Sequence, residues 1–251
     1  MRALILGFAC IAPLILIVLW PHSWLAAIGV LALSHALVLW PTLRPNSQWL
    51  GPVITGFDSQ SNEVWLTIDD GPTDDTELLL DSLDERGVKA TFFVKGLLAA
   101  RRPDLIRSML ARGHAVANHS QTHPSGSFWC LLPSSLASQI DECSAALESI
   151  TGHRPSLFRA PVGMKNPFVH PILARRGLTL IGWSVRGFDS FGDDVARVVR
   201  RIVPRTGAGS IVVMHQGRAF SVACISGVVD ELQGRGYSFV VPAVERLKTK
   251  R

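Results

Sequence analysis

Five short groups of residues in this 251-residue chain carry the side chains that polar catalysis needs. They are Asp69-Asp70-Gly71-Pro72, Asn118-His119-Ser120-Gln121-Thr122-His123, Arg159-Ala160-Pro161-Val162-Gly163, Asp189 and His215. Two adjacent acids can divide labour, one holding a metal and one taking a proton; before Gly-Pro they also serve as turn formers. His119 and His123 are four residues apart. On a helix that spacing puts both imidazoles on one face, and a loop also lets them converge. With Asp70 they form a set of two nitrogens and one oxygen, which leaves positions open for water and substrate, as catalytic metal sites require. Arg159 is suited to orienting a carboxylate, and His215 to giving up a proton near neutral pH. Each group alone has a structural explanation; their joint placement in the chain favours chemistry.

The placement depends on a βα alternation that begins near residue 63. Strand candidates are Val64–Ile68, Thr91–Val94, Ala115–Ala117, Leu157–Phe158, Leu178–Trp183, Ile211–Met214 and Ser238–Val240. Helix candidates are Thr76–Arg86, Pro103–Arg112, Ser135–Ile150, Pro167–Arg176, Asp193–Val203 and Val222–Arg235. Gly87, Gly113, Gly177 and Gly236 stop helices, and Pro103 and Pro167 suit first turns. Such alternation predicts a parallel sheet covered by helices, closed as a barrel or open and doubly wound. All five reactive groups fall at or just beyond C-terminal strand ends, the rim where βα loops converge on an active site. His114, His153 and His170 lack this placement and read as structural or surface residues.

Residues 1–41 are of a different kind. Ala3 to Trp20 and Trp24 to Trp40 carry no charge, and each run is about long enough to cross a hydrocarbon core. Trp20, Trp24, Trp40 and Trp49 mark the ends, where indole rings favour the interface. Pro21-His22-Ser23 is the turn between them, and His22 and His35 belong to this hairpin. A secretory signal peptide is the alternative, but the apolar stretch is too long and lacks a clear cleavage site. Residues 42–62 read as a linker, 63–247 as the catalytic domain and 248–251 as a basic tail. The 47% hydrophobic content and mean hydropathy of +0.26 reflect the N-terminal runs. The formal net charge of +5 comes from scattered residues without a Lys/Arg block, which points to an anionic membrane surface rather than nucleic acid. The four cysteines form no disulfide pattern.

The five groups, in order, resemble the motifs of the polysaccharide deacetylases of carbohydrate esterase family four, which carry the NodB-homology domain. Thr67 to Pro72 resembles the first motif, His119 to His123 the second and Arg159 to Gly163 the third. Trp183 to Asp189 covers the fourth and Val213-Met214-His215 the fifth, so the resemblance spans about Glu63 to Leu247. It implies a distorted seven-stranded (β/α) barrel. It also implies Asp69 as general base, steered by Arg159, and His215 as general acid, paired with Asp189. Asp70, His119 and His123 would hold a divalent metal, with zinc the expected ion. Pro161, Val162, Trp183 and Val213 would face the substrate, the Val162 N–H stabilising the oxyanion. Ile68, Val162, Arg186, Ser190 and Val213 stand where the family commonly has phenylalanine, tyrosine, aspartate, tryptophan and leucine. The aromatic sugar-facing surface is thereby reduced, which argues against a long polymer.

The expected activity is metal-dependent removal of an N-acetyl group from a sugar, lipid-linked or part of a cell-envelope glycan. A deformylase or O-acetyl esterase on the same scaffold is the near alternative. A non-catalytic, membrane-anchored glycan-binding protein would need neither the acid nor the base. The expected location is a bacterial-type inner membrane. Arg2 and Arg44 flank the two spans on one side, and the turn has no Lys or Arg, which favours a cytoplasmic domain. An exported domain follows if only one run spans, and the resemblance points the same way, since many relatives trim wall glycans.

Overall fold

The structure, a computed structural model, describes residues 1–191 and 194–249. Two helices, α1 (Arg2–Leu19) and α2 (Trp24–Leu43), pack as a hairpin, with Ser23 capping the second. Both are long and apolar enough to cross a membrane, and most of their side chains are exposed. Then follow β1 (Gly56–Phe57), β2 (Glu63–Gly71), α3 (Thr76–Glu85), β3 (Thr91–Val94), α4 (Gly96–Arg101), α5 (Pro103–Ala111) and β4 (Ala115–Asn118). The rest comprises α6 (Pro133–Thr151), β5 (Leu157–Phe158), α7 (Val169–Ala174), β6 (Thr179–Leu180), β7 (Val185–Arg186), α8 (Val195–Ile202), β8 (Ser210–His215), α9 (Ser221–Gly234), β9 (Ser238–Phe239) and β10 (Leu247–Lys248).

The parallel strands run in the order β7-β8-β2-β3-β4-β5-β6, with β9 beside the start of β2 and β1 and β10 added antiparallel at β8. The result is an α/β half-barrel. Between β6 and β7 the described contact is not a ladder but the single bridge of Ile181 to Ile54. The expected strand Leu178–Trp183 is therefore interrupted. The N–H of Gly182 donates to Ile54 O, and a Cβ at Gly182 would run into Asn46 and Val53, so the chain bends there before β7 begins. The helix expected from Asp193 is seen as α8, capped by Asp194; Asp193 lies outside the described residues. Of the basic tail, Lys248 pairs with Gly56, while Lys250 and Arg251 lie outside the described residues.

Strand periodicity sorts the side chains. Val64, Leu66 and Ile68 of β2 face the helical layer, where they join Leu79, Ile106 and Ile225. Trp65 points inward to a second cluster with Phe93, Ala117, Ile211 and Val213. Alternation puts Thr67 and Asp69 on that inner side, and Val213 and His215 on the neighbouring β8. Residues 42–62 do not behave as a linker. Leu50, Val53 and Phe57 are buried, and the Gln48 side-chain amide clasps Val53, its NH2 donating to Val53 O and its oxygen accepting from the Val53 N–H. The missing signal is the lack of periodicity: this burial comes from contacts with distant parts of the chain.

Candidate active site

A cavity of about 530 Å³ opens at the C-terminal rim of the strands. Asp69, Asp70, His119, His123, Val162, Trp183, Val213 and His215 all line it. Neighbouring strand residues ordinarily point to opposite faces, yet Asp69 and Asp70 both reach the cavity. A β-bulge explains this: Asp69 pairs with Phe93 and Gly71 with Val94, leaving Asp70 as the surplus residue. Its φ of 81° turns the carboxylate back to the inner side. Ser120, His123 and Val162 also have positive φ, so strained backbone clusters at this rim.

Asp70, His119 and His123 offer donor atoms that all lie within 4.8 Å of one another. His123 Nε2 is 3.5 Å and His119 Nε2 4.0 Å from Asp70 Oδ1. That oxygen is buried and makes no hydrogen bond, although Lys95 Nζ lies 3.0 Å away. His119 Nδ1 must donate to Arg159 O at 2.9 Å, which leaves the Nε2 lone pair free for a ligand. Burial lowers the pKa of His119 and brings that of His123 down to about 4, so both are neutral near neutral pH, as metal ligation requires. Burial works against the Asp70 carboxylate, but the charge that His119 and His123 carry at low pH, together with that of Lys95, outweighs it and holds the pKa well below the usual range. A buried carboxylate oxygen that accepts no hydrogen bond, beside two neutral imidazoles, fits a divalent cation of borderline softness.

Two further pairs stand beside this cluster. Arg159 is fully buried, with Nη1 donating to Asp69 Oδ1 at 2.7 Å and to Thr67 Oγ1 at 2.8 Å. Gly182 O accepts from its Nη2, and the Phe93 ring lies 4.1 Å from the guanidinium. The Arg159 fork thus has little freedom, and neither does Asp69. Asp69 and His215 are register partners on β2 and β8. His215 Nδ1 lies 3.0 Å from Asp189 Oδ1, while its backbone N–H donates to Asp189 Oδ2 at 2.6 Å. Burial disfavours the imidazolium, but the Asp189 hydrogen bond and charge, with help from Asp69 and Asp70, raise the His215 pKa.

Val162 sits in a turn at φ 48°, and among the described residues its N–H has no hydrogen-bond acceptor. Pro161, the first residue of the same turn, is buried and does not line the cavity. Arg159 and Asp189 likewise stand behind the lining residues they contact. Lys95, Arg218, Leu43 and Pro45 line the cavity without having been expected there. Lys95 follows β3 directly and could have been found by the strand-end rule; Leu43 and Pro45 come from the foot of α2, which carries no such signal. His114 accepts the Ala90 N–H in the core and His170 packs against Gly51, both remote from the cavity.

The sequence signature described as polysaccharide deacetylase matches residues 58–181. The chain belongs to that family, the NodB-homology group of carbohydrate esterase family four. It is 35% identical over 195 residues to a chitooligosaccharide deacetylase of Bradyrhizobium sp., covering 76% of this chain and 88% of that one. A peptidoglycan-N-acetylglucosamine deacetylase of Listeria monocytogenes is 32% identical over 181 residues, or 72% of this chain and 38% of that longer protein. Among solved structures, a family 4 carbohydrate esterase from Streptomyces lividans in complex with acetate superposes with a TM-score of 0.68 at 32% identity. That match covers 78% of this chain and 97% of the other.

Proposed function

We propose that this chain is a metal-dependent hydrolase that removes the N-acetyl group from a sugar at a membrane surface. The observation that carries the reading is the convergence, in one cavity, of the Asp70–His119–His123 donor set with the Asp69–Arg159 and His215–Asp189 pairs. Asp70, His119 and His123 hold the ion, for which zinc suits the mixed nitrogen and oxygen set. When bound, the ion supplies Lewis acidity to the amide carbonyl. Asp69, held by Arg159, takes the proton of the attacking water. The Val162 N–H faces the oxygen on which charge develops. His215, protonated through Asp189, gives its proton to the leaving amine. Base and acid stand on adjacent strands, and one cavity therefore presents both to a single substrate. The sugar is N-acetylglucosamine or a close analogue, consistent with the names of the relatives.

The N-terminal hairpin is read as a retained membrane anchor. Its exposed apolar side chains need lipid, and its foot is tied to the domain through Lys165, which donates to Arg44 O at 2.7 Å and Pro45 O at 2.9 Å. The arginine bias supports a cytoplasmic rather than an exported domain; a reporter active only outside the cytoplasm, fused after Arg251, stays silent if the domain is cytoplasmic and is active if it is exported.

Acetate release from N-acetylated glucosamine conjugates by the zinc-loaded protein tests the function. Asp70→Asn, His119→Ala and His123→Ala lose metal and activity, whereas Asp69→Asn and His215→Ala keep the metal and lose about 10²–10⁴-fold in rate. Tight metal retained in all three ligand variants refutes the assignment.

A further inference from the structure

The catalytic cavity shares three lining residues, Pro45, Trp183 and Arg186, with a neighbouring groove of about 560 Å³. The far wall of this groove is the end of α2, with Trp40 and Arg44, and the segment after it, with Trp49. We propose that the groove is an anion subsite that takes the phosphate linkage between a membrane lipid and the sugar, with Arg44 and Arg186 as its contacts. This rests on the reading of the cavity as a sugar deacetylase site.

The two arginines are prepared for such a role. Among the described residues neither has a carboxylate within 4.0 Å, and no acidic side chain lines the groove. Each is held by aromatic faces instead. The Arg44 guanidinium lies 4.0 Å from the Trp40 ring, and Arg186 lies 4.0 Å from Phe188 and 5.5 Å from Trp183. Stacking fixes the planar forks and leaves their N–H edges free, the geometry that recognises phosphate oxygens. The groove is also built rather than draped. Asn46 donates to Trp183 O at 2.7 Å, and Lys165 grips the two carbonyls beside it. Trp40, in the last turn of apolar α2, and Trp49, in the segment after it, are 51% and 37% exposed, and indoles mark the water–lipid boundary. A lipid tail alongside α2, a phosphate in the groove and a sugar in the cavity form one continuous path.

The test uses the full zinc-loaded chain in detergent with two substrates. One is N-acetylglucosamine joined to a farnesyl chain through a diphosphate; the other joins the same sugar and chain directly. The wild type favours the first in kcat/KM. Arg44→Gln and Arg186→Gln each lower that preference about tenfold, as loss of a charge-assisted hydrogen bond predicts, while Arg107→Gln on α5 does not. Affinity for farnesyl diphosphate falls in parallel. Equal kcat/KM on both substrates in the wild type overturns the subsite, as does a preference untouched by either variant. If both variants lose only adsorption to phosphatidylglycerol vesicles, the groove binds bulk lipid headgroups and the proposal is wrong. Release of acetate from neither substrate refutes the deacetylase reading instead; the farnesyl diphosphate affinities then decide the subsite, and unchanged values in the variants overturn it.

Discussion

Replacing Asp189 by asparagine should move the alkaline limb of the rate profile without dismantling the site. The carboxylate is buried, and both its oxygens serve His215, one at the ring and one at the backbone N–H. An amide keeps the shape but has one oxygen and no charge. Burial is the largest influence on His215 and opposes the proton; the Asp189 hydrogen bond and charge overcome it. A hydrogen bond to a charged group contributes about 1.5–3 kcal/mol. At about 1.4 kcal/mol per pKa unit, its loss shifts the imidazole down by about 1–2 units. The sign is set by the role of His215: an acid must hold its proton, so activity falls as pH rises through its raised pKa. In Asp189→Asn that fall begins about 1–2 pH units lower. The assay is kcat/KM against pH with zinc saturating, beside a thermal melt to establish folding. An alkaline limb that stays in place while the plateau drops would show that Asp189 only positions the strand end.

Arg159→Met leaves the Asp69 carboxylate buried without its cation, and the melt should show a loss of about 3–5 kcal/mol. Adding Asp69→Asn should return part of it, and a single variant as stable as the parent contradicts the pairing. Lys95→Met removes a cation 3.0 Å from Asp70 Oδ1, so zinc affinity in a chelator competition should rise about tenfold; unchanged affinity would mean that Lys95 turns away when metal binds. Val213→Leu adds a methylene to the cavity wall and should shift preference towards acetyl over bulkier acyl groups by about tenfold, whereas an unaltered acyl profile removes Val213 from the pocket's specificity.

Much of this site is legible without coordinates because strand ends are legible. The apolar runs at Val64–Ile68 and Ile211–Met214 mark the central strands, and the residues just beyond them, Asp69 and His215, prove to be register partners. Helix stops at Gly87, Gly113, Gly177 and Gly236 are equally plain, since each takes a positive φ that other residues resist. Strands of two residues, such as Gly56–Phe57 and Val185–Arg186, are too short to show a period, and neighbours distant in the chain create them. The foot of α2 escaped for the same reason: nothing local in Leu43 to Asn46 says that a buried lysine 120 residues later will hold it. The turn of Asp70 is also hidden, because a bulge is a property of two strands compared.

That bulge sets the terms for anyone wishing to move this chemistry to another protein. On a regular strand the Asp70 carboxylate would point into the helical layer beside Leu79 and Ile106, and the two acids would be strangers on opposite sides of a wall. A graft that copied every functional side chain and evened out the strand would reproduce the alignment and lose the enzyme. What must be transplanted is one residue too many.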